Sequence, residues 1–233
     1  MPADARSAQV GGDVKRELVD AIRMLARAEI VDHSGHASAR RDGGTLYINS
    51  GASVRATLTV EDIVAIDFDG ALVEGSATPP LEFPLHSEIY RARADVHAIL
   101  HTHPRWSTLL TMVGTRYQPV FAQGALLGDV PVLDTPLSVN TPSMGQTVAS
   151  TLGGGSAALL KSHGAVIVGA SVIECFALAA YLEENAQRQY MAMLIGQPYV
   201  FSAAEQRICR ERLRTPALLQ KTWDHYYAKL TLD

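Results

Sequence analysis

The sequence predicts a single α/β domain built in three layers, helices on both faces of one sheet. Two observations lead there. Short apolar runs of strand length alternate along the whole chain with longer stretches whose apolar residues recur at helical spacing. No internal repeat and no low-complexity linker divides the 233 residues, a length that can enclose one substantial core. Residues 1–12 are polar and glycine-rich and are expected to be disordered, leaving residues 13–233 as the domain, helical tail included.

The elements follow in order. Val14, Leu18, Ile22, Leu25 and Ile30 recur at helical spacing behind Asp13, a residue suited to an N-cap, and predict a helix ending near Asp32. Residues 37–40 and 45–49 flank the turn signal Asp42-Gly43-Gly44 and predict a hairpin. A helical turn over 59–62 and a strand over 63–68 come next. Pro79-Pro80 breaks the chain, and Pro84 suits the first turn of a helix reaching Arg93. Ala98-Ile99-Leu100 leads a strand into His101-Thr102-His103, and Pro104 stops it because it has no N–H for the ladder. A helix over 105–112, short strands around Val120 and Val130, and a helix from Thr141-Pro142-Ser143 to Gly153 continue the alternation. Two β-like runs, 157–161 and 165–168, flank Ser162-His163-Gly164. Residues 171–195 form a long helix with an Ala/Leu face, and the tail from Ser202 is helical, with Trp223, Tyr226 and Tyr227.

Bulk properties exclude several classes. A net charge of −4 with no long basic run argues against a nucleic-acid surface. Two cysteines, Cys175 and Cys209, are too few for a disulfide framework. No apolar stretch reaches the ~18 residues that span a bilayer, and no signal-peptide core is present, so a cytoplasmic protein without a membrane partner is expected. Phosphate loops of the Walker type, the G-x-S-x-G elbow and H-E-x-x-H are all missing.

The chemistry concentrates in four residues. His101 and His103 are two apart on a strand, so both rings point to one face and can reach one metal while Thr102 faces away. His163 lies at a second strand break, followed by glycine. Glu82 sits between Leu81 and Phe83. Three imidazoles and one carboxylate form a complete ligand set for a divalent metal with one replaceable position. Taken singly, each histidine also has a structural reading, and Glu82 reads equally as a carboxylate favoured by a helix start. An acid in apolar surroundings is expected to have a raised pKa unless a cation holds it charged, which suits proton transfer. His33 and His36 flank Ser34-Gly35 without cysteine or carboxylate support for a second metal, so His36 reads as a polar substrate contact. His86 and His97 read as surface or supporting groups, and His225 as packing.

The ordered set of Glu82, His101-Thr102-His103-Pro104 and His163 resembles the class II aldolase/adducin family. So do Ser34-Gly35-His36-Ala37-Ser38, Ile48-Asn49-Ser50-Gly51, Glu82-Phe83-Pro84-Leu85-His86 and Lys161-Ser162-His163-Gly164-Ala165. The resemblance runs from about Val14 to Gly196. It implies a largely antiparallel central sheet and a homotetramer with active sites at subunit contacts. It implies a divalent metal on His101, His103 and His163, zinc first, with manganese, cobalt and iron(II) compatible with the same donors. It implies that Glu82 is the acid/base carboxylate and touches the metal when substrate is absent. Non-catalytic adducin-like heads tend to lack these histidines, so an enzyme, a carbon–carbon lyase, is implied.

The departures from that family narrow the substrate. His36 stands where its sugar-phosphate aldolases place a phosphate-binding asparagine, and Pro80 and Leu81 where they place two serines. Their tyrosine acid falls near Ala122 or Gln123. A phosphate needs several N–H and O–H donors, and only Ser50-Gly51 survives. The loop 35–38, the stretch 180–185 and the tail 220–227 resemble instead the family's decarboxylases. The expectation is therefore decarboxylation of an ortho-hydroxy aromatic or muconic carboxylic acid such as 3,4-dihydroxyphthalate, in aromatic-compound catabolism. Glu82 would transfer the proton, its pKa kept high by Pro80, Leu81 and Phe83. His36, Ser50 and Gly51 would hold the substrate's remaining carboxylate, and Tyr226 or Tyr227 would close the site. The alternatives are an aldolase or dehydratase acting on a small hydroxy-carbonyl substrate, and a non-catalytic interaction domain.

Overall fold

In the computed structural model, which describes the backbone of residues 3–230 and side chains from Asp13 to Leu230, one mixed sheet carries the molecule. Its strands are β1 (His36–Arg41), β2 (Thr45–Asn49), β3 (Ile63–Asp67), β4 (Leu72–Glu74), β5 (Ala98–Thr102), β6 (Val132–Leu133), β7 (Ala157–Leu160) and β8 (Gly164–Gly169). They lie in the order β4-β3-β2-β1-β5-β8-β7-β6. Every neighbouring pair is antiparallel except β6–β7. The helices are α1 (Ala3–Arg27), α2 (Phe83–Ala92), α3 (Arg105–Met112), α4 (Pro142–Leu152), α5 (Val172–Ile195), α6 (Ala203–Leu213) and α7 (Pro216–Leu230).

Alternation along the strands sorts two cores. Leu100 and Ile167 point to one face, where Leu18 and Ile22 of α1, Phe176 of α5 and Trp223 of α7 cover them. Ile99 and Val166 point to the other, under Leu85 and Ile89 of α2 and Val148 of α4. The arrangement is the three-layer α/β/α fold with a largely antiparallel sheet. Side-chain caps fix the helix starts that the sequence signalled: Thr141 accepts the Met144 N–H and Ser171 the Glu174 N–H.

Several expectations need correction. The first helix begins at Ala3 and stops at Arg27, so Asp13 is interior to it and residues 3–12 are helical rather than disordered in backbone; residues 1–2 lie outside the described residues. No strand forms around Val120. There the N–H groups of Val120 and Phe121 donate to Asn185 Oδ1, and Gln118 exchanges bonds with Gln189 and Asn185, so α5 side chains replace a ladder. The strand expected near Val130 is the two-residue β6. Strand β4, short and exposed, was not anticipated. The tail is two helices, broken before Pro216. No helix among the described residues is long and apolar enough to cross a membrane.

Candidate active site

The face of the sheet that carries α2 also carries the site. His101 has the same strand parity as Ile99, and β1 pairs His36 directly with His101. Glu82 is the residue before α2 and drops onto these rings from the helix start. His163 stands in the tight β7–β8 turn, where Ser162 takes a positive φ of 55°. Gly164 lets this turn approach β5: a Cβ there would collide with the Thr102 carbonyl oxygen. Ligand atoms of Glu82, His101, His103 and His163 all lie within 4.8 Å of one another.

Each of two imidazoles is oriented from behind. His101 Nδ1 faces the Ala165 carbonyl oxygen at 3.1 Å, and His103 Nδ1 faces Asp32 Oδ1 at 3.0 Å. An acceptor at Nδ1 places the proton there and leaves Nε2 with a lone pair. The two Nε2 atoms are 3.1 Å apart. Two lone pairs aimed at one point repel unless a cation lies between them, so the donor set fits a divalent metal. Burial lowers the pKa of His103 and His163, which favours the neutral ligand form. Asp32 is itself held by the N–H groups of Ser34 and Gly35 at 2.8 and 3.2 Å.

Glu82 Oε2 lies 3.4 Å from His101 Nε2 and 3.6 Å from His36 Nε2, and Oε1 lies 3.8 Å from His163 Nε2. Oε1 also accepts the Val139 N–H at 2.7 Å and the Ser138 hydroxyl at 3.0 Å. Burial alone would raise this carboxyl, but the facing imidazoles of His101 and His36 and the bond from the Val139 N–H outweigh it and hold the group well below the ordinary carboxylate range. This corrects the expected raised pKa. Leu81 is 80% exposed and forms no apolar wall, whereas donors surround the carboxylate.

The other expected residues are placed differently. His36 is buried, its Nδ1 2.7 Å from His86 Nε2 and its Nε2 facing Glu82; burial pushes its pKa down to about 4. The N–H of Ser50 donates to the Asp62 carbonyl and that of Gly51 to the Thr78 carbonyl. Neither amide is free for a substrate carboxylate, which leaves the Ser50 hydroxyl. Gly51 lines a cavity of about 500 Å³ with Asp32, His33, Ser53 and Arg55. Arg55 braces this wall by donating to the Gly35 carbonyl at 2.6 Å. Tyr226 donates to Glu184 Oε1 at 3.2 Å and lines a separate cavity of about 260 Å³ with Glu29, Arg105 and Glu183. None of the four metal-donor residues lines that cavity, so the chain does not bring Tyr226 to them. The sequence reading did not single out Asp32, Ser138 or Val139, and it placed His86, fully buried here, among surface or supporting groups. Asp32 alone had a local signal, a carboxylate beside Ser34-Gly35 suited to a tight turn.

Comparison with known proteins agrees with this geometry. The family described as "Class II Aldolase and Adducin N-terminal domain" matches residues 16–190. The 5-methylthioribulose-1-phosphate/5-deoxyribulose-1-phosphate aldolase of Rhodospirillum rubrum is 28% identical over 204 residues, 87% of this chain and 91% of that protein. A solved L-fuculose 1-phosphate aldolase superposes with a TM-score of 0.80 at 25% identity, covering 87% of this chain and 97% of its own. The 3,4-dihydroxyphthalate decarboxylase of Rhodococcus jostii is 27% identical over 146 residues, 58% of this chain and 60% of that protein.

Proposed function

Because the chain belongs to the class II aldolase and adducin family, we propose that it is a divalent-metal-dependent carbon–carbon lyase that cleaves a small hydroxy-carbonyl substrate by aldol chemistry. The observation that carries this reading is the convergence of three imidazoles on the Glu82 carboxylate. His101, His103 and His163 would hold the ion, zinc by preference, with manganese, cobalt or iron(II) compatible with the same donors. When bound, it supplies Lewis-acid stabilisation of the negative charge that carbon–carbon cleavage leaves behind. Glu82, ionised and held by Val139 and Ser138, takes the proton of the substrate hydroxyl whose loss starts the cleavage. The same carboxyl, once protonated, returns the proton to carbon. His36 stands beside it as the next polar contact.

The far end of the substrate is read from what the site lacks. Pro80 and Leu81 offer no hydroxyl, and the amides of Ser50 and Gly51 are spent within the fold. An unphosphorylated hydroxy acid or sugar-like substrate suits these walls better than a phosphate ester. Decarboxylation, the first expectation from the sequence, is the second reading. His36 in the substrate loop and the similarity to the dihydroxyphthalate decarboxylase favour it, but the aldolase similarity extends over much more of the chain. We take the working assembly as a cytoplasmic homotetramer with sites at subunit contacts, which sedimentation of the purified protein tests.

Product analysis separates the readings. Metal-replete protein is incubated with unphosphorylated hydroxy-carbonyl compounds and with ortho-hydroxy aromatic and muconic acids. Two carbonyl fragments, lost on chelation and restored by a divalent metal, are the expected result. Release of CO₂ instead establishes the decarboxylase. Full metal occupancy with neither product points to the non-catalytic domain.

A further inference from the structure

Behind Glu82, buried side chains form an unbroken line of hydrogen bonds. Glu82, His86 and Tyr90 are spaced i, i+4, i+8 and lie along one side of α2, while His36 and Ser38 are i, i+2 on the face of β1 beneath it. Four helical residues rise ~6 Å and two strand residues advance ~6.6 Å, so the rungs match. His36 Nδ1 meets His86 Nε2 at 2.7 Å, His86 Nδ1 meets Ser38 Oγ at 2.6 Å, and Ser38 Oγ meets the Tyr90 hydroxyl at 2.9 Å. None of these four residues is more than 2% exposed.

Such a line can run in two directions, and both ends select the same one. At the inner end, Ser38 is the hydrogen-bond partner of the Tyr90 hydroxyl among the described residues, so a Tyr90 that accepted from Ser38 would bury its own proton unpaired. Tyr90 therefore donates to Ser38, Ser38 to His86 Nδ1, and His86 Nε2–H to His36 Nδ1. The His36 proton then sits on Nε2. At the outer end, that atom is buried, has no hydrogen-bond partner, and faces the Glu82 carboxylate at 3.6 Å. The opposite direction would set a lone pair against a carboxylate.

We propose that Tyr90, Ser38 and His86 are positioning residues that hold His36 as a fixed Nε2–H donor facing Glu82 and the substrate oxygen beside it. Its effect on turnover rests on the lyase reading; its effect on the imidazole does not. The test is the tautomer of His36 and His86, read from long-range proton–nitrogen correlation spectra of the metal-loaded, histidine-labelled full chain. Both rings are expected in the Nε2–H form. His86→Gln keeps a donor near the Nε2 position and should leave His36 unchanged, whereas His86→Leu should give an Nδ1–H or mixed ring. A wild-type His36 protonated on Nδ1, or identical His36 spectra in the two variants, overturns the proposal, and the wild-type spectrum decides even if His86→Leu does not fold. On a substrate that is cleaved, His86→Leu should lower kcat about 10–100-fold with KM and metal content unchanged, and His86→Gln should restore most of it. Equal kcat in all three overturns the positioning role. The expected tautomers without turnover of any substrate support the relay and reject the lyase reading.

Discussion

Asp32 and His103 meet at 3.0 Å, carboxylate oxygen to imidazole Nδ1, across 71 residues of chain. The carboxylate fixes which nitrogen of His103 carries the proton and turns the other toward the shared donor centre. Partners behind a metal ligand are worth about 10–100-fold in affinity or activity. Asp32→Asn should therefore weaken metal binding by that factor, measured by competition with a chelator, while thermal stability of the metal-free protein changes little. Unaltered affinity would show that His103 needs no such partner.

Glu82→Gln separates the two roles proposed for that residue. The three imidazoles remain, so metal content should stay close to that of the wild type, while turnover falls about 10²–10⁴-fold through loss of proton transfer. His101→Ala should lose both metal and turnover. Elemental analysis beside kcat reads the two outcomes independently, and normal turnover by Glu82→Gln would remove it from the proton path.

Gly164 is required by space. An added methyl carbon would collide with the Thr102 carbonyl oxygen and lie 2.8 Å from His103 Cδ2. Gly164→Ala should push β8 away from β5, cost roughly 1–3 kcal/mol, and displace His103 from the donor set. Urea unfolding and metal titration calorimetry on one preparation test both effects; full stability together with full affinity would show that the strands yield freely.

Glu183 of α5 ties the site to the opposite layer. It accepts the Trp106 and Ser107 N–H groups at the start of α3, three and four residues beyond His103. Gln has one acceptor oxygen, so Glu183→Gln should cost about 1–3 kcal/mol. Burial raises the Glu183 carboxyl, and the bonds from Trp106 and Ser107 only partly oppose it. A carboxyl raised on folding contributes most below its unfolded pKa and loses that contribution as pH rises through the folded value. The stability gap between wild type and Glu183→Gln should thus narrow from acidic to neutral pH, by denaturant titration at each pH; a widening gap would contradict the raised carboxyl.

Much of this architecture was legible because it is written in local periods. The two-residue period placed His101 and His103 on one face, and Asp42-Gly43-Gly44 announced the β1–β2 hairpin. Helix caps at Thr141 and Ser171 were equally local. What escaped depends on partners distant in the chain. Val120 and Phe121 look like strand residues until Asn185, 65 residues away from Val120, takes their N–H groups. Glu82 looks like an acid in an apolar pocket until Val139 and three histidines surround it. Ser50-Gly51 looks like a free anion cradle until Asp62 and Thr78 accept its amides. Pattern reports which side of an element is covered; it does not report which donor arrives from elsewhere.

The pairing of β5 with β8 brings His101 against Ala165, 64 residues apart, and with it the donor centre into being. Non-local pairing of this kind must meet the loop-closure entropy before its contacts form and is intrinsically slow. In the unfolded chain an ion would meet at most His101 and His103 together, so it would act as a latch on a finished sheet rather than as its template. Chelation should lower the melting temperature by mass action alone and leave the secondary structure standing, unlike small domains whose only core is their metal.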